Sequence, residues 1–139
     1  WVKAIADLNL PMKWQEVRKV HYDLMGLNMK VIEIAKNLRK NYKTLLLSKN
    51  TRSQFNDTTS RYKCKRYFDY AINTWELGLP KASKETLKYI MQKFKVKADE
   101  IILIDDQPEN LVEAKKMKIK TIFYKNYNQF KKELFNYLK

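Results

Sequence analysis

Apolar positions along this chain recur first at three- and four-residue steps and then in short unbroken runs. Trp14, Val17, Val20, His21, Leu24 and Met25 fall at helical spacing within 11–25, and Gly26 follows as a stop. Asn28 stands where a helix cap belongs, ahead of Val31, Ile32, Ile34, Ala35 and Leu38. Residues 42–47 close on Leu45-Leu46-Leu47 and run into Ser48-Lys49-Asn50-Thr51, the pattern of a buried strand entering a polar loop. A weak helix is expected over 53–62, and a short strand within the aromatic and β-branched stretch 67–75. Gly78-Leu79-Pro80 breaks the chain. Ser83, Glu85 and Thr86 then open a helix with Leu87, Ile90, Met91 and Phe94 at apolar positions.

Ile101 to Ile104 are four aliphatic residues without alternation, which predicts a strand covered on both faces, as in a parallel sheet. Asp105 and Asp106 follow it, and Pro108 sits at the start of a helix carrying Leu111, Val112, Ala114 and Met117. A strand at 120–124 and an amphipathic helix at 127–138 end the chain. Strand and helix alternate throughout. The expected class is therefore α/β: a parallel sheet with right-handed crossovers and helices on both faces.

Composition narrows this further. With 139 residues, one domain is the default, and 45% hydrophobic residues supply a core. Two glycines and three prolines argue against a turn-rich all-β fold. The lone Cys64 forms no internal disulfide and fits a reducing, cytoplasmic setting. No run approaches the roughly 18 apolar residues of a membrane span. The first seven residues lack a signal-peptide layout and an initiator methionine, so the natural chain is expected to begin earlier.

The net charge is +14. Such a balance fits either attraction to nucleic acid or phosphorylated substrates, or a lysine-rich solvated surface. Lys84, Lys88, Lys93, Lys95 and Lys97 are scattered and share their segments with acids, and the aromatic residues sit among apolar ones. Both features favour the solvated surface and argue against a nucleic-acid partner.

Ligands of open parallel sheets bind beyond the carboxyl ends of the strands, so residues there are the candidates for chemistry. Two adjacent carboxylates after an apolar strand are costly unless their charge is compensated. A hard divalent cation would do so. Equally, Asp106 could cap the helix that starts at Pro108; local pattern leaves both readings open. Ser48, with Asn50 and Thr51, could hold a phosphate or be an ordinary loop. Lys81 could neutralise a phosphate, although lysines are common here. His21 reads as a packed residue on an apolar helix face. Cys64, between Lys63 and Lys65, could have a lowered pKa. The cluster Tyr62, Tyr67, Phe68, Tyr70 and Trp75 reads as packing rather than a base-stacking platform.

In this order and spacing, the three signals resemble the haloacid dehalogenase-like (HAD) hydrolases. Leu45 to Thr51 resembles the family's second motif, and Gly78-Leu79-Pro80-Lys81 its third. Ile101 to Asn110 resembles its fourth. The resemblance covers about Lys30 to Leu138 and implies a three-layer Rossmann-like core over 27–139, with residues 1–26 the remnant of a helical cap or a linker. It implies that Ser48 bonds the transferring phosphoryl group, and that Lys81 balances its charge. Lys49 and Asn50 would face the substrate. Asp106 would ligate Mg2+, with Asp105 in support and Asn110 orienting the metal's surroundings.

Two departures stand out. Ala82 follows Lys81 where the family usually has proline, and Pro80 precedes it. The family's first motif, a strand ending in Asp-x-Asp that provides the nucleophile, is absent; Ala6-Asp7-Leu8-Asn9 has no hydrophobic strand before it. The central first strand of the sheet is therefore expected to be missing, leaving unpaired edges that an upstream segment or a partner chain would fill. The resemblance implies a Mg-dependent phosphatase acting on a small phosphorylated metabolite through an aspartyl-phosphate, with this chain alone inactive. A non-catalytic module binding a phosphorylated ligand or a protein, and a haloacid dehalogenase, are the alternatives.

Overall fold

The computed structural model describes residues 2–138, with Ala4 described by its backbone only. Two helices come first, α1 (Val2–Asp7) and α2 (Trp14–Leu24), and then α3 (Met29–Leu38). Asn28 caps α3 as its position predicts, its side chain accepting from the Val31 N–H. Next come β1 (Leu45–Ser48), α4 (Arg52–Arg61), β2 (Tyr70–Asn73) and α5 (Lys84–Phe94). The chain finishes with β3 (Ile102–Asp105), α6 (Val112–Lys116), β4 (Lys120–Phe123) and α7 (Tyr127–Tyr137). Between β3 and α6 the chain first makes a 3₁₀ turn, Pro108–Leu111, rather than entering an α-helix directly.

The core lies around β3 and β4, which run parallel with Ile102 opposite Lys120 and Asp105 opposite Phe123. On one face, α3 and α7 bury Ile34, Phe130 and Leu134 against Ile122, with Ile102 alongside. On the other, α5 and α6 bury Leu87 and Ala114 with Ile119, against Ile101 and Leu103. Alternate residues of one strand thus enter two hydrophobic layers, and this half has the expected three-layer build.

The four strands do not form one continuous sheet. β1 pairs in parallel with β2, Leu45 opposite Tyr70 and Ser48 opposite Asn73, as a separate two-stranded unit. Neither β1 nor β3 has a second strand neighbour among the described residues. This corrects one expectation: the aliphatic run before the acid pair is not covered on both faces. Ile104 is 38% exposed and no residue from 101 to 104 is fully buried. A strand at the edge of a sheet lacks the flanking side chains that would complete its cover.

The amphipathic face read into α2 is also corrected. Trp14, Val20, Leu24, Met25 and His21 are exposed, and Tyr22 is the residue buried. α2 is held to α4 by polar ties instead: Arg18 to Asp57, Arg61 to Asp23, and the Tyr62 hydroxyl to the Met25 carbonyl. Arg18 and Asp23 thus face α4, while most of the apolar stripe is left exposed. In the aromatic cluster, Tyr70 packs its ring at a tilt against Phe94, while Trp75 is exposed rather than packed. Asp7 lies on α1, ion-paired with Lys3, and not at a strand end. No helix among the described residues is long and apolar enough to cross a membrane.

Candidate functional site

Lys81 is delivered by a loop with several fixed points. Gly78 adopts φ +65°, a left-handed conformation that costs a glycine nothing. The Thr74 carbonyl accepts from the Leu79 N–H. Ser83 caps α5, as its position predicts, by accepting from the Thr86 N–H. The buried Thr86 hydroxyl then donates to the Pro80 carbonyl at 2.7 Å. That anchor holds the residue before Lys81, so the reversed order of proline and lysine does not leave the lysine loose.

From this loop the Lys81 ammonium reaches Asp105 Oδ2 at 2.7 Å. The carboxylate is deeply placed, its side chain 4% exposed against 29% for the lysine. Its other oxygen accepts from the Gln107 N–H at 2.9 Å and from Asn110 Nδ2 at 3.0 Å. Burial pushes the Asp105 carboxyl up, but the bonds from Lys81, Asn110 and the Gln107 amide outweigh it, and the net shift is downward. The two acids are therefore distinct. Asp105 has both oxygens engaged, whereas Asp106 is exposed and makes no hydrogen bond or ion pair with the described residues. The reading of Asp106 as a helix cap is overturned. Gln107 holds the cap position without a side-chain bond, and Asp105 takes the amide two residues on.

At the end of β1, the Ser48 hydroxyl accepts from Asn50 Nδ2 at 3.0 Å. The backbone of Asn50 is gripped by Asn73, a residue that strand-end chemistry would have flagged but that reading of the motifs passed over. Asn73 Oδ1 accepts from the Asn50 N–H at 3.1 Å, and its Nδ2 donates to the Asn50 carbonyl at 2.7 Å. Ser48, Lys49, Asn50, Lys81, Gln107 and Asn110 all line one open cleft of about 710 Å³. Its remaining wall includes Phe55, Thr58 and Thr59 of α4, which the sequence pattern did not single out. Among the described residues, no group of three or more His, Cys, Asp and Glu side chains converges as a metal site. Cys64 lies apart and is buried, and burial pushes its thiol up rather than down.

The cleft thus gathers a hydroxyl from the end of β1 and an ammonium from the Lys81 loop; Asp105 joins them through its ion pair with Lys81, and neither Asp105 nor Asp106 is among the lining residues. The sequence profile of the haloacid dehalogenase-like hydrolases matches residues 3–124. The chain belongs to that family. Bifunctional epoxide hydrolase 2 of Rattus norvegicus is 25% identical over 114 residues, covering 78% of this chain and 21% of the relative. The chain therefore spans only about a fifth of that relative's length. A predicted HAD-like family hydrolase from Porphyromonas gingivalis shares the fold at a TM-score of 0.78 and 17% identity, over 99% of this chain and 71% of that one. A HAD family enzyme of Bacteroides thetaiotaomicron, solved with magnesium and inorganic phosphate, gives a TM-score of 0.65 at 21% identity, over 71% of this chain and 53% of that one.

Proposed function

We propose that this chain is part of a magnesium-dependent HAD phosphatase acting on a small phosphorylated metabolite. The reaction would pass through an aspartyl-phosphate whose aspartate lies outside residues 1–139. One observation carries the reading. A lysine held at 2.7 Å by a buried carboxylate stands in the same cleft as the Ser48 loop, at the carboxyl ends of the strands.

The acids present fit magnesium. A hard divalent cation takes one or two carboxylates and fills its remaining positions with water and phosphate oxygens. Asp106, exposed and unengaged, would hold the ion; Asp105 would support it from behind, with Asn110 orienting that carboxylate. When bound, the ion supplies positive charge to the phosphoryl oxygens. This chain's own groups do the rest. The Ser48 hydroxyl donates to a phosphoryl oxygen, and Lys81, fixed by Asp105, adds a second positive charge beside it. Lys49 and Asn50, exposed at the rim, face the remainder of the substrate. Phosphoryl transfer asks for little from a protein beyond this placement and electrostatic support.

The same reading places a further strand between β1 and β3, from an upstream segment or a partner chain. The unpaired edges of both strands and the exposure of Ile104 support it. α1 and α2 would be the end of a helical cap, with the exposed Val20 and Leu24 of α2, and Leu8 in the turn between the helices, meeting its remainder. A reducing, cytoplasmic setting accords with the lone Cys64.

The test is phosphate release by the full-length protein with magnesium, for wild type and Asp106→Asn. The variant should lose at least about 100-fold, because metal charge stabilisation is worth several kcal/mol. Activity that survives the change removes the metal assignment. A wild type that releases no phosphate from any phosphomonoester removes the phosphatase reading.

A further inference from the structure

We infer that Asn73 is a positioning residue for the phosphate-binding loop: it sets the placement of Ser48 by clamping the backbone of Asn50. The inference rests on the phosphatase reading only in naming phosphate as the ligand.

The geometry is specific. Asn73 is the last residue of β2, beside Ser48 in the parallel ladder, and is 4% exposed. A buried primary amide must find partners for both its ends. Asn73 finds both on the backbone of one residue, accepting from the Asn50 N–H and donating to the Asn50 carbonyl. This reciprocal pairing fixes which end of the amide is oxygen. No other residue type of the same size offers a neutral acceptor and donor at that separation. Asn73 Oδ1 also accepts weakly from the Trp75 N–H, at 3.4 Å, so the start of the segment leading to Lys81 is held by the same side chain. A further tie, from the Thr74 N–H to the Ser48 carbonyl at 2.8 Å, fastens the loop one residue away.

The consequence reaches Ser48 through Asn50. With its backbone pinned, Asn50 directs Nδ2 at Ser48 Oγ. A hydroxyl that accepts from a neighbour keeps its own hydrogen free to donate. The clamp therefore leaves the Ser48 O–H available toward an anion in the cleft. Released, the loop from Ser48 to Thr51 would be held mainly by its two flanking elements, and Ser48 would lose its orientation. Misplacement of a positioning group by about 1 Å can cost on the order of 100-fold in rate.

The experiment uses the full-length protein in four forms: wild type, Asn73→Ala, Ser48→Ala, and the double variant. Turnover of a phosphomonoester and the binding of inorganic phosphate with magnesium are both measured, the latter by calorimetry. Asn73→Ala should lower kcat by about 10- to 100-fold with KM changed less than about threefold, since orientation rather than ground-state binding is lost. In the double variant the second change should add almost nothing, because coupled residues are non-additive. Losses that multiply in full would overturn the inference, showing that Asn73 acts on stability or elsewhere in the cleft.

Asn73→Asp guards against a variant that simply fails to fold, because it keeps the shape. Its carboxylate can accept from the Asn50 N–H but repels the Asn50 carbonyl, and protonation restores a donor. Burial raises such a carboxyl's pKa. Activity relative to wild type should therefore recover as pH falls toward about 5, and should do so also at pH values where the urea midpoint shows both forms fully folded; a flat ratio among folded forms counts against the clamp. If wild type binds phosphate without hydrolysing it, the enzyme reading fails. The inference then stands or falls on whether Asn73→Ala and Ser48→Ala weaken that binding non-additively. A wild type that neither binds nor releases phosphate overturns both.

Discussion

Replacing Lys81 by methionine isolates the interaction on which the site is built. The change keeps the length of the side chain and removes its charge. Asp105 then keeps its bonds from the Gln107 amide and Asn110 but loses its counter-ion, while its side chain remains 4% exposed. Removing one partner of a buried pair typically costs about 3–5 kcal/mol. Lys81 is 29% exposed, so part of its charge is already solvated, and two hydrogen bonds survive. We therefore expect a loss of about 2–3 kcal/mol. The loss has a ceiling of about 4 kcal/mol at pH 7, where the carboxyl would instead take up a proton some three units above its usual value, at 1.36 kcal/mol per unit.

The pH dependence supplies the diagnostic. Without Lys81 the largest single influence on the Asp105 carboxyl is burial, and we expect its folded pKa to rise above the unfolded one. The native state then binds more protons than the unfolded state between those two values, so stability falls as pH rises. Urea unfolding of full-length Lys81→Met should show a midpoint lower than wild type by about 1 M at pH 7, and a gap that narrows toward pH 5. The double variant Lys81→Met/Asp105→Asn should recover most of the loss, because no buried charge remains. A Lys81→Met protein as stable as wild type, with the same pH profile, would refute the reasoning.

Other outcomes follow from the same structure. In the wild type the folded pKa of Asp105 is lowered, so its stabilising contribution is complete above the unfolded value of about 3.9 and is lost only as pH falls through the lower folded value. Asp105→Asn should therefore narrow its stability gap to wild type only below about pH 4 in acid titrations of the urea midpoint. Thr86→Val removes the hydroxyl that anchors the Pro80 carbonyl and should cost about 1–3 kcal/mol. It should also lower turnover by loosening Lys81, and unchanged kinetics would count against that anchor. Lys95 ends α5 at φ 54°, a left-handed conformation suited to glycine. Lys95→Gly should raise stability by about 0.5–1 kcal/mol in thermal unfolding, the relief of strain outweighing the added chain entropy. Leu87→Ala, at a side chain 1% exposed between α5 and the β3–β4 half, should cost about 2–5 kcal/mol.

Much of the fold was legible along the chain because its determinants are local. The aliphatic run before Asp105, the apolar run before Ser48 and the caps at Asn28 and Ser83 each involve neighbours within a few residues, and all lie where their pattern places them. The positions of candidate chemistry were legible for a related reason. Parallel strands put their carboxyl ends on one side, so polar residues that close an apolar run share an edge. Tertiary structure alone decided which of two adjacent acids is buried and paired, since Lys81 arrives from another element and Asn110 from the following turn. It alone paired Asn73, the polar residue that closes β2, with the backbone N–H and carbonyl of Asn50, 23 positions away. It also turned the apolar stripe of α2 outward, through ion pairs with α4 that no periodicity encodes, and left Ile104 uncovered at an open strand edge. Periodicity specifies which residues share a face. What covers that face, and which charge meets which, depends on contacts between segments distant in sequence.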